Sequence, residues 1–95
     1  MPSILPKSGG IRPYNTTVAE ESGVTRVTLY QTVVATYDRP AGIVTLNTGG
    51  YDTPTTFRRM NEALHHWGLV GEGKPFPYRV GKSDFKSANT LTRKA

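Results

Sequence analysis

The stretch from Leu46 to Asn61 constrains the fold more than any other part of the chain. It reads as a strand that ends, a glycine corner at Gly49 and Gly50, a helix cap, and a helix opening on two arginines. Adjacent glycines let the backbone turn through conformations that a side chain forbids. Thr53 followed by Pro54 supplies an N-cap and a first helical residue whose missing N–H is not needed. The hydrophobic period therefore changes here from two to 3.6, and the spacing predicts strand before the corner and helix after it.

The helix is predicted over 54–67. Phe57, Met60, Ala63, Leu64 and Trp67 fall on one stripe at helical spacing. Arg58, Arg59, Glu62, His65 and His66 occupy the opposite arc, where Arg58 and Glu62 are spaced for an i,i+4 pair. Gly68 ends the helix, with a histidine pair in the last turn, where positive charge suits the helix dipole.

Upstream, residues 24–37 are dominated by β-branched side chains and predict a strand. Val27, Leu29, Gln31, Val33, Ala35 and Tyr37 share one face, and Thr28, Tyr30, Thr32, Val34 and Thr36 the other. Gln31 interrupts the apolar side and marks a bulge or a bend. Asp38 to Gly42 reads as a turn, and 43–48 resumes as a strand, which makes a hairpin. A third strand is expected within 77–85, with Tyr78 and Val80 facing one way and Arg79 the other.

The order strand, strand, helix, strand predicts an α+β fold. It would be a small antiparallel β-sheet (β-hairpin, helix, third strand) with one α-helix packed on one face. Phe57, Met60, Leu64 and Trp67 would cover Val27, Leu29 and Val33. At 95 residues the chain has room for one such domain, assigned here to 24–86. Residues 1–23, with Pro2, Pro6, Gly9, Gly10 and Pro13, read as an irregular arm that Ile11 and Tyr14 could pin. Residues 87–95 read as a basic tail.

Composition bears on function mainly through charge. Residues 1–57 carry four cations and four carboxylates, so the whole net charge of +5 lies in residues 58–95. Such asymmetry points to nucleic acid or another polyanion; the plainer reading is a solvated basic surface. There are no cysteines, which removes disulfide and thiolate chemistry. No apolar run approaches the roughly 20 residues of a membrane helix, and the N-terminus lacks a signal peptide's apolar core.

Catalytic and metal groups are not expected, and no cofactor motif is present. The corner lacks the Gly-Lys-Ser/Thr signature of a nucleotide loop and is not a dinucleotide fingerprint. His65 and His66 are neighbours pointing about 100° apart, which is unsuited to one metal. Glu62 and His66 lie one helical turn apart without a nucleophile.

A binding module fits better. The corner's backbone N–H groups at Gly49 and Gly50, with the hydroxyls of Thr55 and Thr56, are placed to receive an anion at the helix N-terminus; the ordinary reading is a tight β-to-α turn. Arg58, Arg59, Asn61 and His65 would contact phosphates or base edges, joined by Arg79, Lys82 and Lys86. Tyr30, Tyr37, Tyr51, Phe76, Tyr78 and Phe85 interleave with the later bases. They either stack nucleobases or complete a thin core, and the latter suits Phe76 and Phe85 best. The expected partner is DNA or RNA. The alternative is a protein partner docked on a sheet edge at 43–48 or 76–80.

The segment from Leu29 to Trp67 resembles small proteins encoded in tailed-bacteriophage genomes. The match is carried by Thr45, Leu46, Asn47, Thr48, Gly49, Gly50 and Tyr51, then Thr55 and Thr56, then Arg59, Met60 and Asn61. It leaves the arm and the basic tail outside. The resemblance implies a phage origin and a host-cytoplasm setting, in which the alternative partner would be a host protein, a polymerase or defence component, and it brings no functional residues with it.

Overall fold

Successive hairpins account for most of the sheet. A computed structural model of the chain describes residues 15–86 and 88–95. Strand β1 (Thr16–Glu21) turns into β2 (Val24–Leu29) through Ser22 and Gly23, at φ +53° and +82°. Two left-handed residues in a two-residue loop match the twist of an antiparallel pair. A second tight turn at Tyr30 and Gln31 leads into β3 (Thr32–Asp38). After the 39–42 turn comes β4 (Ile43–Asn47), then helix α1 (Pro54–His66), and last β5 (Thr90–Lys94). Among the described residues the sheet has five strands in the order β1-β2-β3-β4-β5, and every neighbouring pair is antiparallel. The fold is α+β, a small antiparallel sheet with one helix across one face.

Several boundaries differ from the sequence expectation. The run 24–37 is a hairpin rather than one strand, because Tyr30 adopts φ +56° and the chain reverses there. The residue that interrupts the apolar face, Gln31, sits in that reversal. Part of the predicted arm is strand β1; the segment 1–14, with Ile11 and Tyr14, lies outside the described residues. No strand forms at 77–85. Pro77 and Gly81 punctuate that segment, with Pro75 just before it, and proline has no N–H to give a ladder. Phe76, ahead of the segment, makes an isolated parallel bridge to Val70, and the segment itself ends in a 3-10 helix at Lys82–Phe85. The strand that does pair with β4 comes from the predicted basic tail, where Thr90, Leu91 and Thr92 supply the β-forming side chains.

The sheet's inner face carries a bulge. Val27 pairs with Ala35 but Thr28 pairs with Val33, so Val34 is the extra residue. Val34 and Ala35 are consequently both buried, although they follow one another in sequence. Val33, assigned to the inner face by alternation, turns outward instead.

Above this face, α1 buries Met60, Ala63 and Leu64 against Val27, Leu29, Val34, Ala35, Val44 and Leu46. Full burial of a side chain the size of Met60 or Leu64 contributes about 1.5–3 kcal/mol. Leu69, Phe76, Val80 and Phe85 close the core from the segment after the helix. Phe57 and Trp67 lie at its margins, Phe57 against Phe85 with ring centroids 5.9 Å apart and Trp67 against Tyr37 at 5.4 Å. The Arg39 guanidinium lies over the Tyr37 ring, 4.5 Å from its centroid.

The helix ends follow from their sequence. Thr53 Oγ1 accepts from the Thr56 N–H at 3.3 Å, with Pro54 as the first helical residue. At the other end, Leu69 N–H donates to Leu64 O at 3.0 Å and Gly68 N–H to His65 O at 3.1 Å. This is the paired closure that a glycine after the last turn permits.

Gly49 meets the sheet closely. It has φ +62°, and a Cβ added there would sit 2.7 Å from Thr32 Cγ2; Gly50, at φ +88°, faces open space. Gly49→Ala is therefore expected to destabilise the fold by about 1–3 kcal/mol, and Gly50→Ala by less. Urea denaturation of the two variants checks the order, and Thr32→Ser in the Gly49→Ala background should recover part of the loss.

Candidate nucleic-acid interface

The glycine corner satisfies itself. Gly49 N–H donates to Asn47 Oδ1 at 2.9 Å, Gly50 N–H to Thr48 Oγ1 at 3.1 Å, and Tyr51 N–H to Thr48 O at 2.9 Å. The Thr56 N–H is held by the cap, and the Thr56 and Thr53 hydroxyls bond one another at 3.0 Å. Thr56 is itself buried. The expectation of free donors at Gly49, Gly50 and Thr56 is corrected: short polar side chains next to the corner take these groups first. Thr55 lines a different groove, described below.

Arg59 is also reassigned. It is 2% exposed, not on the solvent arc. Its Nε donates to Thr16 Oγ1 at 3.1 Å and its Nη1 to Glu62 Oε1 at 3.1 Å. Among the described residues, Glu62 thus pairs with Arg59 at i,i+3, in place of Arg58. Arg59 borders the apolar arc, and β1 brings the threonine that satisfies it there. It pins the first strand to the helix.

Asn61 is likewise a structural clamp. Its Nδ2 donates to Phe57 O at 2.9 Å and to Val80 O at 3.0 Å, while its Oδ1 accepts from Val80 N–H at 2.7 Å. One turn on, His65 Nε2 lies 3.1 Å from Tyr78 O. Together they hold the 78–80 segment along the flank of α1. With Val80 fixed as a buried plug, Tyr78 and Arg79 are turned to solvent.

A groove of about 730 Å³ opens between helix and segment, lined among others by Phe57, Arg58, His65, Tyr78 and Arg79. Arg58, His65 and Arg79 are thereby brought together from the predicted set. Lys82 follows directly after the groove-lining Gly81, with Nζ 3.8 Å from Asp52 Oδ2 and both groups well exposed. Such a pair contributes little and leaves Lys82 available to a phosphate. Lys86 stands past the 3-10 helix, exposed, at φ +49°. Sequence reasoning named Tyr78 among the aromatics but not in the site. The neighbouring prolines and glycines, which break the strand and lift the ring out, were the available signal.

A second groove, of about 770 Å³, lies between the Tyr30–Gln31 turn and the start of α1. Its lining includes Tyr30, Gln31, Thr32, Thr48, Tyr51 and Thr55, and among the described residues no cation or carboxylate contributes to it. Phe76 and Phe85 are buried in the core. No metal-holding group of three or more His, Asp or Glu occurs among the described residues.

Residues 3–87 match the family model described as Kyanoviridae Gp96 protein. The chain belongs to this phage family. The match begins at residue 3, so the N-terminal segment is part of the family pattern, and it stops before β5. No curated protein and no solved structure matches the chain. Among the described residues, no helix is long and apolar enough to cross a membrane.

The two neighbouring arginines should separate cleanly. Arg59→Ala removes one partner of a buried pair and is expected to destabilise the fold by about 2–4 kcal/mol. Arg58→Ala, on the exposed arc, should change stability by no more than about 0.5 kcal/mol. Chemical denaturation monitored through Trp67 fluorescence checks both.

Proposed function

We propose that this phage protein is a non-enzymatic nucleic-acid-binding module working in the host cytoplasm. The observation that carries the reading is the groove in which Arg58, His65 and Arg79 converge beside the exposed ring of Tyr78. Charge supports it: residues 58–95 hold eight cations and three carboxylates, and one of those carboxylates, Glu62, is already paired with Arg59. Lys82 and Lys86, both exposed, follow the groove-lining Gly81 in the chain. Phosphates would be held by Arg58, Arg79, Lys82 and Lys86, while Asn61 and Arg59 act by holding the scaffold. Neutralising about four phosphates gives a log K against log salt slope of about −3 on a single strand to −4 on a duplex.

A second reading, capture of a host protein by strand addition, draws on the sheet edges. Its expected docking edges are revised. Strand β4 is paired on both sides, and 76–80 is not a strand, so the outer edges are β1 and β5. These edges, as they stand among the described residues, carry Glu20, Glu21, Arg93 and Lys94, charges of the kind that discourage strand addition. The groove is the stronger support.

A gel-shift titration on single- and double-stranded probes over a range of salt tests the proposal. Absence of any complex at about 50 mM salt defeats it. The double change Arg58→Ala/Arg79→Ala should weaken binding by at least about tenfold, equivalent to about 1.4 kcal/mol. Arg93→Ala/Lys94→Ala, outside the groove, should cost less. Equal losses would mean that net charge rather than a site drives binding. A pull-down from nuclease-treated lysate decides between the readings: partners retained after nuclease favour the protein partner.

A further inference from the structure

We infer that the groove is built for a single strand, with one nucleobase laid on the ring of Tyr78 and the adjoining phosphates on Arg58 and Arg79. The inference rests on the nucleic-acid reading above and names its substrate class.

Three observations carry it. First, Tyr78 is 69% exposed yet held in place. Its carbonyl lies 3.1 Å from His65 Nε2, and Val80, two residues on, is clamped through both backbone groups by Asn61. Its ring also leans on the backbone of Gly71, where an added Cβ would sit 3.3–3.4 Å from Cζ, Cε1 and Oη. A glycine at that position lets the ring settle against the main chain. An exposed aromatic with a fixed backbone and a backed ring loses little freedom when a base stacks on it.

Second, the ring shares its groove with two guanidinium groups: Arg58 and Arg79 line it together with His65 and with Glu62, whose carboxylate is paired with Arg59. Stacking beside phosphate-binding charge is the arrangement that retains an unpaired strand. A duplex hides its base faces within its own stack and would leave the ring without a partner.

Third, α1 is unsuited to reading a duplex. Along its outer arc Asn61 is engaged with Val80, Glu62 with Arg59, and the 78–81 segment lies along its flank. His65 is engaged with the Tyr78 carbonyl, which leaves Arg58 and His66 to reach outward, and the helix cannot enter a major groove without displacing that segment.

The test uses the full chain, a fluorescein-labelled thymidine 15-mer and a blunt duplex of mixed sequence, with fluorescence anisotropy at one fixed salt concentration. The single strand should bind at least about tenfold tighter than the duplex. Tyr78→Ala should weaken single-strand binding about tenfold and change duplex binding less than about twofold. Tyr78→Phe should stay within about twofold of the parent, because it keeps the ring face. Tyr78→Leu, which keeps bulk but not the ring, should behave like Tyr78→Ala. Equal affinity for duplex and single strand overturns the inference and leaves the nucleic-acid reading standing, as does a Tyr78→Ala variant that binds the 15-mer unchanged. A Tyr78→Phe variant as weak as Tyr78→Ala also overturns it, by assigning the effect to the hydroxyl. Binding to neither probe overturns the inference and the underlying function together.

Discussion

One carboxamide does for the segment after the helix what a ladder of strand hydrogen bonds would otherwise do. Asn61 meets both backbone groups of Val80 and the carbonyl of Phe57 at once. Without strand partners, the polar backbone of such a segment would be left to water or unsatisfied against the core. The clamp lets an irregular stretch lie on the flank of α1 and send Val80 inward to complete the core. Everything distinctive about the basic groove follows from that placement. Tyr78 and Arg79 face outward because Val80 faces inward.

Much of this architecture was legible in residue order, and the parts that were not share a cause. The Thr53 cap, Pro54 and Gly68 act within a few residues, so the helix and its ends could be read directly. The turn at Asp38–Gly42 was equally local: Ala41 N–H bonds Asp38 Oδ1 at 3.1 Å. The reversal at Tyr30 lacked any glycine, proline or asparagine to announce it, and only the polar Gln31 hinted at a break. The 77–85 segment alternates like a strand, but Pro77, with Pro75 just before it, removes donors that pairing requires. Strand β5 was obscured by its own charges, Arg93 and Lys94, which on an edge strand are compatible with pairing on one side only.

The site was half legible for the same reason. A helical wheel separates buried from exposed arcs, but residues on the border depend on what the rest of the fold brings alongside. Arg59 is such a border residue, and its fate was decided by Thr16, forty-three positions away. Asn61 is another, claimed by Val80. Arg58 and His65, at the centre of the outer arc, stayed where the wheel put them. The threonines and glycines of the corner fell to local competition, since Asn47, Thr48 and Thr53 satisfy their donors from within a few residues.

The interposed helix gives the last strand an unusual burden. Strands β1 to β4 join through short turns, whose closure entropy is small, whereas β5 must return to β4 from Thr90 to Asn47 across the whole helical insertion. Contacts of such separation form late, because the chain between them has to be ordered first. The helix, the clamp and the basic groove all lie inside that closed loop. Fraying of β5 would therefore be felt as added freedom in the groove, which makes an edge strand outside the site a natural determinant of how rigidly the site is held.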